Sequence, residues 1–195
     1  MSDVLQLEAL SQLFQEALDQ CRPRSVAVLG VAGGNGLERI DPAVTTRVVG
    51  LDVNLSYLNA VKRRFGQLPG LELHEVDLTA DLPQMPRVEL VHAALIFEHA
   101  GVGRALENAL SLVEKDGHFS VVLQPVYGRP GPVRIRDSVL DFSSVDPTWF
   151  RNEVESRGLK LLHERRYPVP SGEFWAAIFG GPVPRSDRAQ RPGDC

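Results

Sequence analysis

A glycine-rich loop and a nearby acid carry the strongest chemical signal in this chain. The apolar run 26–29 leads into residues 30–36, which include four glycines, and the next apolar run, 48–51, ends in Asp52. A buried strand that enters such a loop brings backbone N–H groups close to a ligand, because glycine has no Cβ to hold the ligand away. Together with a carboxylate for ribose hydroxyls, this is how an α/β sheet holds a nucleoside.

Each signal also has a plainer interpretation. A glycine turn can occur in any α/β protein, and Asp52 could equally cap the helix that follows it. A further acid, Asp77, follows the alternating run 71–76, so that three positions agree. Their agreement favours a ligand site over a purely structural turn.

Hydrophobic periodicity divides the chain into alternating strands and helices. Helical spacing of apolar residues predicts an amphipathic cap helix over residues 1–22, ahead of a domain over 23–180. The alternation predicts an α/β fold with a doubly wound, mostly parallel seven-stranded sheet and helices on both faces. The last runs, 159–167 and 173–179, have a short connector and predict a C-terminal hairpin whose closing strand is antiparallel.

Local signals set several boundaries. Asn54 suits the N-cap of one helix, and Asp146 followed by proline suits the start of another. Residues 115–117 predict a turn between a helix over 105–113 and a strand that begins at His118.

Two segments have little periodicity. Residues 125–145 are rich in proline and glycine, which predicts a lid or binding loop. Residues 181–195 lack an apolar pattern, which predicts a disordered tail.

Composition limits the classes of function. The chain has 195 residues, of which 43% are hydrophobic and 24% charged, as in an ordinary globular domain. A formal net charge of -4 argues against a nucleic-acid partner, which would need a clustered basic excess. Two cysteines near the chain ends suggest a reducing compartment, and no signal peptide or bilayer-spanning run is apparent. We therefore expect a cytoplasmic protein with no membrane partner and no metal.

The chain resembles the class I S-adenosylmethionine-dependent methyltransferases over about residues 25–180. Their sheet has seven strands, and a C-terminal hairpin inserts the antiparallel one. The matching positions are Gly30, Ala32, Gly34 and Gly36 in the glycine motif, Asp52 and Asp77 after the second and third strands, and residues 88–99 and 112–118 around the fourth and fifth strands.

The resemblance implies a site for S-adenosylmethionine, with S-adenosylhomocysteine as the product. Asp52 would bind the ribose hydroxyls, Asp77 the adenine amino group, and the glycine loop would lie against the methionine part. The full implied set is Gly30, Val31, Ala32, Gly33, Gly34, Asn35, Gly36, Asp52, Val53, Asp77, Leu78, Ala93 and Ala94.

Two positions depart from the family pattern. Gly30 stands where the family has an acid that helps to hold the cofactor's ammonium group. Ala32 stands where the family has glycine, and we expect a negative φ there because alanine avoids positive values.

The catalytic residue cannot be identified from the sequence. Candidates for a general base are His99, Glu98 and Tyr127, of which the first two would face different directions on a helix.

The sequence predicts methyl transfer to a small-molecule acceptor. One alternative is a non-catalytic or regulatory protein that keeps the fold. Another is a NAD-dependent oxidoreductase, but Gly34-x-Gly36 is followed by Arg39 where the dinucleotide fingerprint needs its third glycine. The oligomeric state stays open, with a homodimer as one possibility.

Overall fold

A computed structural model of the protein describes residues 2–80, 82, 85–125 and 144–181. The strands are β1 (Ser25–Leu29), β2 (Arg47–Asp52), β3 (Leu71–Glu75), β4 (Val88–Ala94), β5 (Val113–Leu123), β6 (Lys160–Val169) and β7 (Gly172–Gly180). The helices are α1 (Ser2–Cys21), α2 (Leu55–Phe65), α3 (Phe97–Ala100), α4 (Gly103–Ser111) and α5 (Pro147–Ser156). Most of the predicted lid and nearly all of the predicted tail lie outside the described residues.

All seven strands form one sheet in the order β3-β2-β1-β4-β5-β7-β6. β1 to β5 pair in parallel, and β7 is antiparallel to both of its neighbours, β5 and β6. The predicted seven-stranded sheet with one antiparallel strand is therefore confirmed. The chain order reverses between β1 and β4, which is the switch point where open α/β sheets bind ligands.

Helices cover both faces of the sheet, as the sequence predicts. In β1, Ala27 and Leu29 belong to the core that α3, α4 and α5 share, whereas Val26 and Val28 pack with α1 and α2. This alternation is the two-residue period of a strand that is buried on both faces. Because both faces of β1 are buried, its sequence is a continuous apolar run.

The predicted helix N-termini are confirmed. The Asn54 side chain accepts a hydrogen bond from Ser56 N at 2.9 Å, and that of Asp146 accepts one from Trp149 N at 2.7 Å. These bonds satisfy N–H groups that have no partner within the first helical turn.

The boundary between α4 and β5 differs from the prediction. α4 ends at Ser111, and β5 begins at Val113, where the sequence predicts helix up to residue 113 and a turn at 115–117. The register between β4 and β5 shifts so that Val88 pairs with Val113 but Leu90 with His118. A bulge therefore accommodates the glycine turn inside a longer strand.

Candidate functional site

A cavity of about 510 Å³ lies at the carboxyl ends of β1 and β4, at the switch point of the sheet. Its wall combines the glycine loop, the end of β2, the residues after β4 and one side of α1. The lining residues that the sequence predicts are Gly30, Val31, Ala32, Asn35, Asp52, Val53, Ala94 and His99. The sequence does not single out the others as site residues: Leu7, Leu10, Phe14, Val28, Leu29, Asn54, Tyr57, His92, Leu95 and Ile96.

Asp52 joins the glycine loop to the end of β2. One carboxylate oxygen accepts a hydrogen bond from Ala32 N at 2.8 Å, and the other accepts one from Asn54 N at 2.8 Å. The residue is 8% exposed and lines the cavity. A carboxylate has about four lone-pair sites, so both oxygens can still accept bonds from a ligand.

The glycine loop alternates in backbone handedness. Gly30, Ala32, Gly34 and Gly36 have φ values of 65°, 45°, 81° and 92°. The expected negative φ at Ala32 is therefore wrong, because the loop needs a left-handed residue at every second position. Ala32 meets that need at a steric cost that glycine would avoid.

Replacing Ala32 by glycine is expected to raise the free energy of unfolding by about 0.5–1 kcal/mol, since relief of left-handed strain exceeds the entropy that glycine adds to the unfolded chain. Urea denaturation measures the change. Ala43→Gly is a matched control at an exposed position without positive φ, and it should lower stability. A loss of stability in both variants would contradict strain at Ala32.

A second strained residue also faces this cavity. Leu95 has a φ of 56°, and its N–H donates to Val122 O at 2.9 Å. Ala32 and Leu95 are two of the three non-glycine residues with positive φ in the described chain. Strained backbone tends to cluster at functional sites, which supports a functional role for the cavity.

The remaining predicted cofactor residues do not line the cavity. Gly33 accepts a hydrogen bond from the Arg64 guanidinium, while Leu78 and Ala93 are buried in the core. Gly34 and Gly36 contribute the positive φ values of the loop, with Phe65 and Phe14 as their neighbours. Their predicted contacts with a ligand stay predictions.

Asp77 is exposed and lies outside the cavity wall. Its carboxylate accepts hydrogen bonds from Thr79 N at 2.8 Å and from the Thr79 hydroxyl at 2.7 Å, which lower its pKa. The predicted contact between Asp77 and an adenine stays a prediction.

Glu98 and His99 point in different directions, as the sequence predicts. His99 is exposed and lines the cavity, whereas Glu98 is fully buried and accepts a hydrogen bond from Gln124 N at 2.7 Å. Burial raises the pKa of Glu98 to about 7. The third candidate base, Tyr127, lies outside the described residues.

His92 is a buried histidine in the cavity wall. It is 3% exposed, its Nδ1 lies 3.1 Å from the Ser120 hydroxyl, and its ring centroid lies 4.5 Å from that of Phe14. Burial lowers the pKa of His92 to about 4, so the imidazole is neutral at neutral pH. It therefore offers a ligand a neutral polar group.

The amino-terminal half of α1 covers one side of the cavity. Asn35 donates to Leu7 O at 2.9 Å, and the Ser11 hydroxyl donates to Glu38 at 2.8 Å. Arg39 reaches back to the Ser11 hydroxyl and to Glu8, both at 2.9 Å. These bonds hold α1 over the glycine loop.

The described ranges contain no group of three His, Cys, Asp or Glu side chains that could hold a metal ion. Within the same ranges, no helix has the length and apolar character needed to cross a bilayer.

No protein-family model matches this chain, and no curated protein is similar to it in sequence. Solved structures are similar in fold. The N-methyltransferase NodS from Bradyrhizobium japonicum, in complex with S-adenosyl-L-homocysteine, has a TM-score of 0.70 at 14% identity, over 88% of this chain and 84% of that one. The magnesium protoporphyrin IX methyltransferase ChlM from Synechocystis, with S-adenosylhomocysteine bound, has a TM-score of 0.70 at 12% identity, over 93% and 85%.

A third similar structure is an S-adenosylmethionine-dependent methyltransferase from Clostridium acetobutylicum, with a TM-score of 0.66 at 10% identity, over 89% of this chain and 91% of that one. The chain therefore has the fold of the class I S-adenosylmethionine-dependent methyltransferases, as the resemblance in sequence implies.

Proposed function

We propose that this protein binds S-adenosylmethionine and transfers its methyl group to a small-molecule acceptor, with S-adenosylhomocysteine as the product. The observation that carries the proposal is the position of Asp52. Its carboxylate is fixed by two backbone N–H groups and lines the cavity beside the glycine loop. A fixed acceptor for vicinal hydroxyls at a switch point is what binding of a nucleoside requires.

The cavity suits such a ligand in size and in character. Its volume of about 510 Å³ falls within the range of about 300–1,000 Å³ typical of small-molecule sites. Most of the described lining residues are apolar, with few polar groups among them. That balance is typical of sites that bury a cofactor and orient it through a few bonds.

The residues of this chain mainly position the reactants and need to contribute little to the chemical step itself. The bound cofactor supplies a methyl group on a sulfonium, which is already reactive. Leu10 and Phe14 of α1, together with Ile96, give the cavity an apolar wall that would displace water from a bound cofactor. His99 lines the same cavity and is our candidate to accept a proton, where an acceptor still holds one at neutral pH.

A non-catalytic or regulatory protein with the same fold is the second candidate. The absence of an acid at Gly30 favours it, because weaker cofactor recognition suits a protein that does not turn over. Release of S-adenosylhomocysteine in the presence of acceptors would distinguish the enzyme from such a binding protein.

Calorimetric titration with S-adenosylhomocysteine and, separately, with NAD tests the proposed cofactor. We expect heat of binding with the first and none with the second, because Arg39 stands where a dinucleotide site needs glycine. Absence of S-adenosylhomocysteine binding at millimolar ligand would overturn the proposal, and binding of NAD alone would favour the oxidoreductase.

A further inference from the structure

The carboxyl end of β1 carries an apolar contact where the family resemblance leads one to expect an acid. Gly30 is the first residue after β1, and it lines the cavity. A Cβ built on Gly30 would lie 2.7 Å from Cδ1 of Ile96, closer than real carbon atoms approach. The Ile96 side chain therefore fills the space in which a side chain at position 30 would begin.

The loss of this acid is not offset elsewhere in the described wall. Among the described residues that line the cavity, Asp52 is the only carboxylate. Its two oxygens already accept hydrogen bonds from Ala32 N and Asn54 N. Among the described residues, an ammonium group at the Gly30 end would therefore meet Ile96 and would lose part of its hydration without gaining a counter-charge, which is unfavourable.

The side that α1 covers is also apolar. Leu7, Leu10 and Phe14 reach the cavity from α1, and Leu95 reaches it from the residues after β4. Such a surface favours an uncharged thioether chain, whose burial is stabilising in proportion to its apolar area. The one carboxylate of the described lining, Asp52, lies instead at the end of β2, where a nucleoside would bind.

We infer that this site recognises 5′-thioadenosine ligands as a class, and that it binds those without the amino-acid group nearly as well as those with it. The inference rests on the proposed function, because it concerns the same site. It adds that Gly30 and Ile96 together determine whether the site prefers ligands that carry the amino-acid group.

Paired titrations with S-adenosylhomocysteine and 5′-methylthioadenosine test this inference on the full chain. We expect the two dissociation constants to differ by less than about tenfold, since tenfold corresponds to about 1.4 kcal/mol, close to one charge-assisted hydrogen bond. A preference for S-adenosylhomocysteine above that limit overturns the inference but leaves the proposed function intact. If neither ligand binds, the proposed function fails and the inference fails with it.

A double variant, Gly30→Asp with Ile96→Ala, provides a second readout. It restores an acid and removes the side chain that would collide with it, and aspartate is among the residues that tolerate positive φ. We expect the preference for S-adenosylhomocysteine over 5′-methylthioadenosine to rise at least about fivefold, since the new carboxylate contacts only the ligand with an ammonium group. Ile96→Ala alone is the control, and it should change both affinities equally.

An unchanged ratio in the double variant, with thermal unfolding that shows a folded protein, would contradict a role for Gly30 and Ile96 in specificity. If the double variant does not fold, the wild-type titrations still decide the inference.

Discussion

Asp52→Ala should weaken binding of S-adenosylhomocysteine at least about 30-fold, which corresponds to about 2 kcal/mol. The variant loses a carboxylate that holds Ala32 N and Asn54 N and that faces the cavity. Hydrogen bonds to charged groups contribute about 1.5–3 kcal/mol each, and the two backbone N–H groups would lose their acceptor. Calorimetric titration measures the affinity, and urea denaturation should show a lower free energy of unfolding.

Two variants control for this loss. Asp52→Asn keeps one acceptor oxygen in nearly the same shape, so its affinity should fall between those of the wild type and Asp52→Ala. Glu75→Ala removes an exposed carboxylate from the residue that pairs with Asp52 on β3, and it should leave the affinity nearly unchanged. If both variants lost the same affinity for S-adenosylhomocysteine, the effect would come from the change in net charge. That result would contradict a specific contact between Asp52 and the ligand.

Glu98→Gln should change how the free energy of unfolding depends on pH. Burial raises the pKa of Glu98 from 4.5 to about 7. The folded state therefore holds this proton more tightly, and the resulting stability is fully present below pH 4.5 and is lost as the pH rises through 7. A pKa difference of this size corresponds to about 3 kcal/mol. As the pH is lowered from 8 to 4.5, the free energy of unfolding of Glu98→Gln should therefore fall by about that amount relative to the wild type.

His92 acts in the opposite sense over nearly the same range. Burial lowers its pKa from 6.5 to about 4, so its contribution is present above pH 6.5 and is lost as the pH falls through 4. The two contributions therefore oppose each other in the wild type. Removing the Glu98 contribution leaves that of His92 unopposed, which makes Glu98→Gln sensitive to acid.

Urea denaturation of the wild type and Glu98→Gln at a series of pH values measures the difference. The glutamine oxygen can still accept from Gln124 N, so the contact at the end of β5 is kept. Glu107→Gln changes an exposed carboxylate on α4 and should show no such dependence. Parallel pH curves for the wild type and Glu98→Gln would show that the buried carboxyl group does not titrate in this range.

The sequence is informative about this fold where a pattern is local. Three such features depend on neighbouring residues only. They are the apolar run of β1, the helix caps at Asn54 and Asp146, and the short connector before β7. Their predictions are confirmed because secondary structure and burial follow from such patterns. Asp52 belongs to the same group, since its place at the end of β2 brings it to the glycine loop.

Features that depend on distant contacts could not be predicted. Ile96 meets Gly30 only because β4 pairs with β1, and Phe14 meets His92 only because α1 packs on that face of the sheet. The positive φ of Ala32 follows from the path of the whole loop, which overrides the preference of alanine. Tertiary context thus fixes the shape of the cavity, while sequence patterns fix the elements around it.

The antiparallel strand connects the C-terminal end of the chain to the helix over the cavity. α1 precedes the other elements in the chain, yet Glu16 bonds to Arg165 and Gln12 to Tyr167, at separations of 149 and 155 residues. Both partners lie on β6, which joins the sheet only through β7. The helix that covers the cavity is therefore held from two directions, by the glycine loop and by the last strands of the chain, so loss of the C-terminal hairpin would remove part of the cavity's cover.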